Sequence, residues 1–166
     1  MTRVYVSIGS NINREQNIRR AIAELERYYG PLIVSTVYES PAVGFSGDDF
    51  YNLVVGFDTE DDVRGVVRCL QAIENNMGRN RQAPRFSSRI IDLDLLLYDD
   101  LIDDAEDVQV PRDDITEYAF VLAPLAEIAG QQRHPVTGER FSDLWRVFDK
   151  SQQPLQPISF QSLDAQ

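Results

Sequence analysis

A chain of 166 residues, 43% hydrophobic and 26% charged, has the length and balance of one soluble globular domain with a core of its own. Its formal net charge of −11, with Lys150 the only lysine, argues against a general nucleic-acid binder, which needs a basic face. No apolar run approaches the roughly 20 residues of a membrane span, and the single cysteine, Cys69, allows no intramolecular disulfide and fits a reducing cytoplasm.

Residues 3–8 (RVYVSI) read as a short strand leading into Gly9-Ser10-Asn11. Asn13 with Gln16 has the form of a capping box, and Ile18, Ala21, Ile22 and Leu25 then follow helical spacing until Gly30 stops the helix. Residues 32–38 (LIVSTVY) form a β-rich run that Ser40-Pro41 breaks, and a loop with Phe45 between Gly44 and Gly47 follows. Residues 50–57 (FYNLVVGF) read as a further strand. Thr59 with Asp62 marks a second helix start, with Val63, Val66, Val67, Leu70 and Ile73 as its apolar stripe and Gly78 as its end.

Residues 75–91 contain no acidic residue and carry Arg79, Arg81, Arg85 and Arg89. The segment Ile91-Asp92-Leu93-Asp94-Leu95-Leu96-Leu97 follows. As a strand it places Ile91, Leu93, Leu95 and Leu97 on one face and Asp92 and Asp94 on the other, with the aspartate Cα atoms roughly 6.5–7 Å apart. Such a pair is either the solvated face of an edge strand or a holder of hard divalent cations. An arginine loop immediately upstream favours the second, because guanidinium forks and Mg²⁺ grip a polyphosphate from opposite sides.

The order β-α-β-β-α-β defines an α+β chain with a ferredoxin-like core. Beyond it, residues 101–110 read as loop and short strand. A third helix runs from Thr116 to Gly130 with a kink at Pro124, and Trp145 and Phe148 pack a last short helix. Together these make a C-terminal helical extension, so residues 1–150 form one domain and residues 151–166 an extended tail. His134, the only histidine, lies in a turn and suits packing or surface better than catalysis.

The ordered pieces VSIGSN (6–11), YESPAVG (38–44), Asn52, QAIE (71–74), GRNR (78–81), RIIDLDLLLY (89–98), Val110-Pro111 and FVLAPLAEIA (120–129) resemble the 6-hydroxymethyl-7,8-dihydropterin pyrophosphokinase family over about residues 4–128. The resemblance implies a cytoplasmic monomer that moves pyrophosphate from ATP to a pterin alcohol and acts on small molecules, without nucleic acid or membrane. It implies two Mg²⁺ on Asp92 and Asp94, with Arg79 and Arg89 joining them as catalytic residues at the phosphates. Gln71, Glu74, Arg81, Phe86, Arg89, Leu95 and Arg112 would hold the nucleotide. Ser40, Pro41, Val43, Phe45, Phe50, Asn52 and Phe120 would line the pterin pocket, with Asn52 reading the ring edge and Phe120 stacking on its face. A pterin-binding or regulatory relative with weak or lost transfer is the alternative. The chain departs from the family pattern at Arg112 (usually His), Asp113 (usually Tyr), Tyr118 and Asp107 (each usually Arg), Phe86 (usually Trp) and Phe50 (usually Tyr). Asp107 and Asp113 are expected to oppose a triphosphate.

Overall fold

The computed structural model describes residues 1–78 and 88–160. Its central strands are β1 (Thr2–Ser10) and β4 (Phe50–Thr59), antiparallel from Thr2 opposite Thr59 to Ser10 opposite Tyr51. β5 (Asp92–Tyr98) pairs with the other edge of β1, β3 (Val37–Ser40) with β4, and β8 (Gln156–Ile158) with β3, all antiparallel. The sheet order is therefore β5-β1-β4-β3-β8, with the two-residue β2 (Ile33–Val34) also on β4. Helix α1 (Arg14–Tyr29) follows β1 and α2 (Val63–Asn76) follows β4. A small ribbon of β6 (Asp103–Ala105) and β7 (Val108–Val110), then α3 (Asp114–Glu117), α4 (Ala119–Ala129) and α5 (Phe141–Val147), complete the chain before β8.

Alternation along the strands builds a core on each face of the sheet. Val4, Val6 and Ile8 of β1 pack with Leu53, Val55 and Phe57 of β4 against the α1 residues Ile18, Ile22 and Leu25 and the α2 residues Val66, Leu70 and Ile73. On the opposite face Tyr5, Val54, Leu96 and Leu97 pack under Ile115, Leu122, Leu125 and Phe141, supplied by α3, α4 and α5. No helix among the described residues is long and apolar enough to cross a membrane.

Five local expectations change, each for a tertiary reason. Leu97 does not share a face with Leu93 and Leu95. Val6 pairs with Leu95 but Tyr5 with Leu97, so Leu96 is an extra residue in β5, and this bulge turns Leu97 to the α4 side. Asn13 makes no side-chain cap bond: it adopts the left-handed conformation (φ 43°) that Asn tolerates, which turns the chain from β1 into α1. The cap of α2 is Asp62, which accepts the Gly65 N–H at 2.7 Å, while pairing with Thr2 keeps Thr59 in β4. The run 32–38 divides into β2 and β3 at Ser35, whose Oγ accepts the Val54 N–H at 2.9 Å in place of a ladder carbonyl. The third helix is interrupted at Tyr118, which is extended (φ −122°, ψ 127°), while Pro124 lies inside α4.

His134 is 7% exposed, and its Nδ1 accepts the N–H groups of Val136 and Thr137 at 3.1 and 3.3 Å. Burial pushes its pKa below the ordinary 6.5, against an opposing pull from Glu139. The neutral ring is thus the folded form, and its stabilising contribution is complete above pH 6.5 and lost as pH falls from there toward the folded-state value. Thermal melts should show a stability decline below that pH that flattens in His134→Ala, which itself costs about 1–3 kcal/mol at neutral pH from two donors left unpaired. An unchanged pH slope in the variant would refute this.

Candidate active site

Register partners in an antiparallel sheet share a face, and here they place the two halves of the expected site in one row. Asp92 stands opposite Gly9, Gly9 opposite Asn52, and Asn52 opposite Tyr38. One step along, Asp94 stands opposite Ser7. Strand spacing puts the Cα atoms of Asp92 and Asn52 about 10 Å apart across Gly9. A Cβ on Gly9 would lie 3.0 Å from Asn52 Oδ1, so the absence of a side chain there keeps the floor open between carboxylates and amide.

Each aspartate has an arginine in attendance. Arg89, buried, places Nε 3.6 Å from Asp92 Oδ1. Arg112 places Nη2 3.8 Å from Asp94 Oδ1 and donates from Nε to Asp114 Oδ2 at 3.0 Å. Burial lowers the Arg112 pKa, but the charges of Asp94 and Asp114 outweigh it and raise the balance. The β5 bulge brings Arg112 to this place, since the Leu96 carbonyl accepts the Arg112 N–H at 3.0 Å.

The Gly9-Ser10-Asn11 motif fixes the approach to β5. Asn11 Oδ1 accepts the Arg89 N–H at 2.7 Å, the Asn11 N–H donates to the Arg89 carbonyl at 3.0 Å, and its Nδ2 donates to the Asp48 carbonyl at 3.1 Å. Ser10 Oγ donates to the Ile90 carbonyl at 2.6 Å. Asn11 therefore ties the Arg89 backbone to the loop after β3, a role that only its partners, distant in sequence, reveal.

Beside the carboxylates lies a cleft of about 180 Å³ between α2, β5 and β7. Gln71, Glu74, Leu95 and Arg112 line it together with Asp94. Glu74 is buried, and its Oε2 accepts the Leu93 N–H at 2.8 Å, which pins β5 to α2. Asp107 also lines the cleft, but it is not a bare charge: Arg64 of α2 donates to it at 2.9 and 3.4 Å and holds its carboxyl below the usual range. Asp113 is exposed at the start of α3 and does not line the cleft.

On the other half, Asn52 and Ser40 are buried, and Asn52 Nδ2 donates to Ser40 Oγ at 2.7 Å. Phe45 and Phe50 meet edge to face at 6.3 Å. Phe120 is the second residue of α4, which packs over β4 and β3, and its ring stacks on Tyr118 at 5.0 Å and 21°. Pro41 and Val43 are exposed on the loop after β3. Arg79, Arg81 and Phe86 lie outside the described residues. Among the described residues no three His, Cys, Asp or Glu side chains converge as a ready-made metal cage.

The sequence profile of 7,8-dihydro-6-hydroxymethylpterin-pyrophosphokinase (HPPK) matches residues 5–130. The 2-amino-4-hydroxy-6-hydroxymethyldihydropteridine pyrophosphokinase of Bacillus subtilis is 36% identical over 137 residues, covering 80% of this chain and 81% of its own. That of Methylorubrum extorquens is 37% identical over 133 residues, 78% of this chain and 84% of its own. In structure, the chain superposes on a Plasmodium falciparum HPPK-DHPS protein with a TM-score of 0.70 at 15% identity, over 87% of this chain. It spans about two fifths (41%) of that longer chain, and this likeness speaks to the fold alone.

Removing Arg64 should leave Asp107 uncompensated beside the cleft. In Arg64→Ala the Asp107 carboxyl should return toward the ordinary 3.8 in an NMR titration. Triphosphate affinity should fall about two- to five-fold at low salt and recover in the double variant with Asp107→Asn, a size set by the exposure of the pair. Equal affinity in parent and Arg64→Ala would show that Asp107 does not act on the cleft.

Proposed function

The chain belongs to the 7,8-dihydro-6-hydroxymethylpterin pyrophosphokinase family, and from that premise we propose that it transfers pyrophosphate from ATP to the hydroxymethyl group of 6-hydroxymethyl-7,8-dihydropterin, releasing AMP, in folate synthesis. The observation that supports this reading is the row Asp92–Gly9–Asn52, in which the carboxylate strand and the Asn52 amide share one sheet face about 10 Å apart with only Gly9 between them. Transfer between two bound substrates requires that adjacency.

The reaction joins the pterin alcohol oxygen to the β-phosphorus and breaks the bond from that phosphorus to the α–β bridging oxygen, so AMP leaves with the electron pair and the hydroxyl proton is lost. Two carboxylates, with no third His, Cys, Asp or Glu converging on them among the described residues, suit Mg²⁺, which keeps water and phosphate oxygens in its shell. Asp92 and Asp94 would hold two such ions, whose chemistry when bound is to neutralise phosphate charge and polarise the bridging oxygen. Arg89 and Arg112 lie beside those carboxylates and would be within reach of phosphate oxygens bound there. Arg79 and Arg89 stabilise charge on the breaking bond, and Gln71, Glu74, Arg81, Phe86, Leu95 and Arg112 cradle the nucleotide. On the pterin side Asn52 commits its Nδ2 to Ser40, which leaves Oδ1 to accept from the ring's N–H donors. Phe45, Phe50 and Phe120 supply aromatic walls, with Pro41 and Val43 at the entrance.

The order β5-β1-β4-β3, with α1 and α2 as its crossovers, supports a ferredoxin-like reading of the core. We take residues 1–150 as one domain onto which the following segment runs back as β8 of the same sheet, with Phe160 in its core, rather than as an extended tail, the whole working as a cytoplasmic monomer on small molecules.

The decisive assay follows AMP release from ATP and Mg²⁺ with and without hydroxymethyl-dihydropterin, and AMP should appear only with the pterin. AMP formation indifferent to the pterin would overturn the proposal. Asp94→Asn should keep its fold and lose about two to three orders of magnitude in rate, since a cation ligand is removed at the transition state. Gly9→Ala should raise the KM for the pterin about tenfold by pushing on Asn52 Oδ1 while leaving the KM for ATP within twofold. A variant affected equally for both substrates would count against the open floor between the half-sites.

A further inference from the structure

One side chain closes the break between α3 and α4, and it comes from the C-terminal segment. Gln153 Oε1 accepts the Ala119 N–H at 2.8 Å, and Gln153 Nε2 donates to the Glu117 carbonyl at 3.0 Å. A single amide thus brackets Tyr118 on both sides. Ala119 is the first residue of α4, and its N–H is one of the donors that no carbonyl within a helix can satisfy. Tyr118, at the cap position, offers no side-chain bond, so Gln153 serves as the cap from a distance.

Gln153 is itself held. Lys150 Nζ donates to the Trp145 carbonyl at 2.7 Å and lies 4.3 Å from the Trp145 ring centroid. Asp149 Oδ1 accepts the Ser151 N–H at 3.0 Å and Oγ at 2.6 Å, and the Gln153 N–H reaches the Lys150 carbonyl at 3.2 Å. Three residues further on, β8 joins β3, the strand that ends at Ser40. The family match stops at residue 130, so this whole segment lies outside it.

The Tyr118–Phe120 stack shows what the clamp controls. Side chains two apart on a helix do not face each other, yet these rings stack at 5.0 Å because Tyr118 is extended (φ −122°, ψ 127°). The apolar spacing of residues 116–130 favours one uninterrupted helix, in which Tyr118 would turn helical and the rings would part. The two Gln153 bonds are made to the backbone on both sides of that interruption.

We infer that Gln153 is a positioning residue for the pterin site, fixing the plane of the Phe120 ring through the Glu117–Ala119 backbone and the Tyr118 stack. This rests on the proposed role of Phe120 as the pterin-stacking ring. In the full chain, calorimetry with 6-hydroxymethyl-7,8-dihydropterin, in the presence of Mg²⁺ and a non-hydrolysable ATP analogue, should show about a tenfold weaker Kd for Gln153→Ala, the size expected from losing two hydrogen bonds that set one geometry. Affinity for the ATP analogue should stay within twofold. Gln153→Glu keeps the acceptor for Ala119 but sets a carboxylate oxygen against the Glu117 carbonyl in place of the donor, and should show an intermediate loss of about threefold in pterin affinity. Aromatic cross-peaks between Tyr118 and Phe120 should weaken in Gln153→Ala and less so in Gln153→Glu.

A variant of lower melting temperature that still binds pterin like the parent well below its transition overturns the inference, and so does a parallel loss for pterin and nucleotide. Should Gln153→Ala not fold, Gln153→Glu decides by the same two affinities. Phe120→Ala separates the premise from the inference: unchanged pterin binding there removes the stacking role, whereas a loss there with none in Gln153→Ala refutes Gln153 alone.

Discussion

The pairing of β1 with β4 on one edge and β5 on the other is the constraint on which the rest of the molecule depends. Val4, Val6 and Ile8 are fully buried between the sheet and helices α1 and α2. Each such side chain contributes about 1.5–3 kcal/mol by leaving water. A slip of one residue would turn all three to the opposite face, away from α1 and α2, so the register is strongly held. The opposite face of the same strand carries Ser7 and Gly9, and the register that buries the valines also sets Gly9 between Asp92 and Asn52. Core packing on one side of the sheet thus fixes the spacing of polar groups on the other.

The bulge at Leu96 lets one short strand serve two environments. Upstream of it β5 presents Asp92 and Asp94 to the open part of the sheet face, and downstream it presents Leu97 to the core beneath α4 and α5. A regular strand would have sent Leu97 to the α1–α2 side. The same irregularity supplies the carbonyl that receives the Arg112 N–H and so sets a cation beside Asp94.

Charge is managed locally in a chain whose net charge is −11. Arg89 and Arg112 attend the two aspartates, and Arg64 neutralises Asp107 beside the cleft. A polyanion entering with cations of its own would find guanidinium groups already within reach, which are stronger and more geometrically defined phosphate partners than lysine. The long-range repulsion of the acidic surface matters less at contact, since exposed charges more than about 8 Å away are screened at physiological ionic strength.

The ends of α1 and the stripe of α2 follow from neighbouring residues, and so does the opposition of Asp92 and Asp94 to Leu93 and Leu95, because helical period, strand alternation and a stop such as Gly30 are local properties. The resemblance carried by the motifs extended that reading to the family. Tertiary structure alone decided that Leu97 changes face, that Asn11 grips the Arg89 backbone 78 residues away, that Arg64 covers Asp107 across 43, and that Gln153 accepts the Ala119 N–H 34 residues upstream. Each of these pairings is set by strand register and the docking of distant elements. Their residues carry no mark in the sequence, because a polar side chain reads alike whether it ends in water or on a backbone far along the chain.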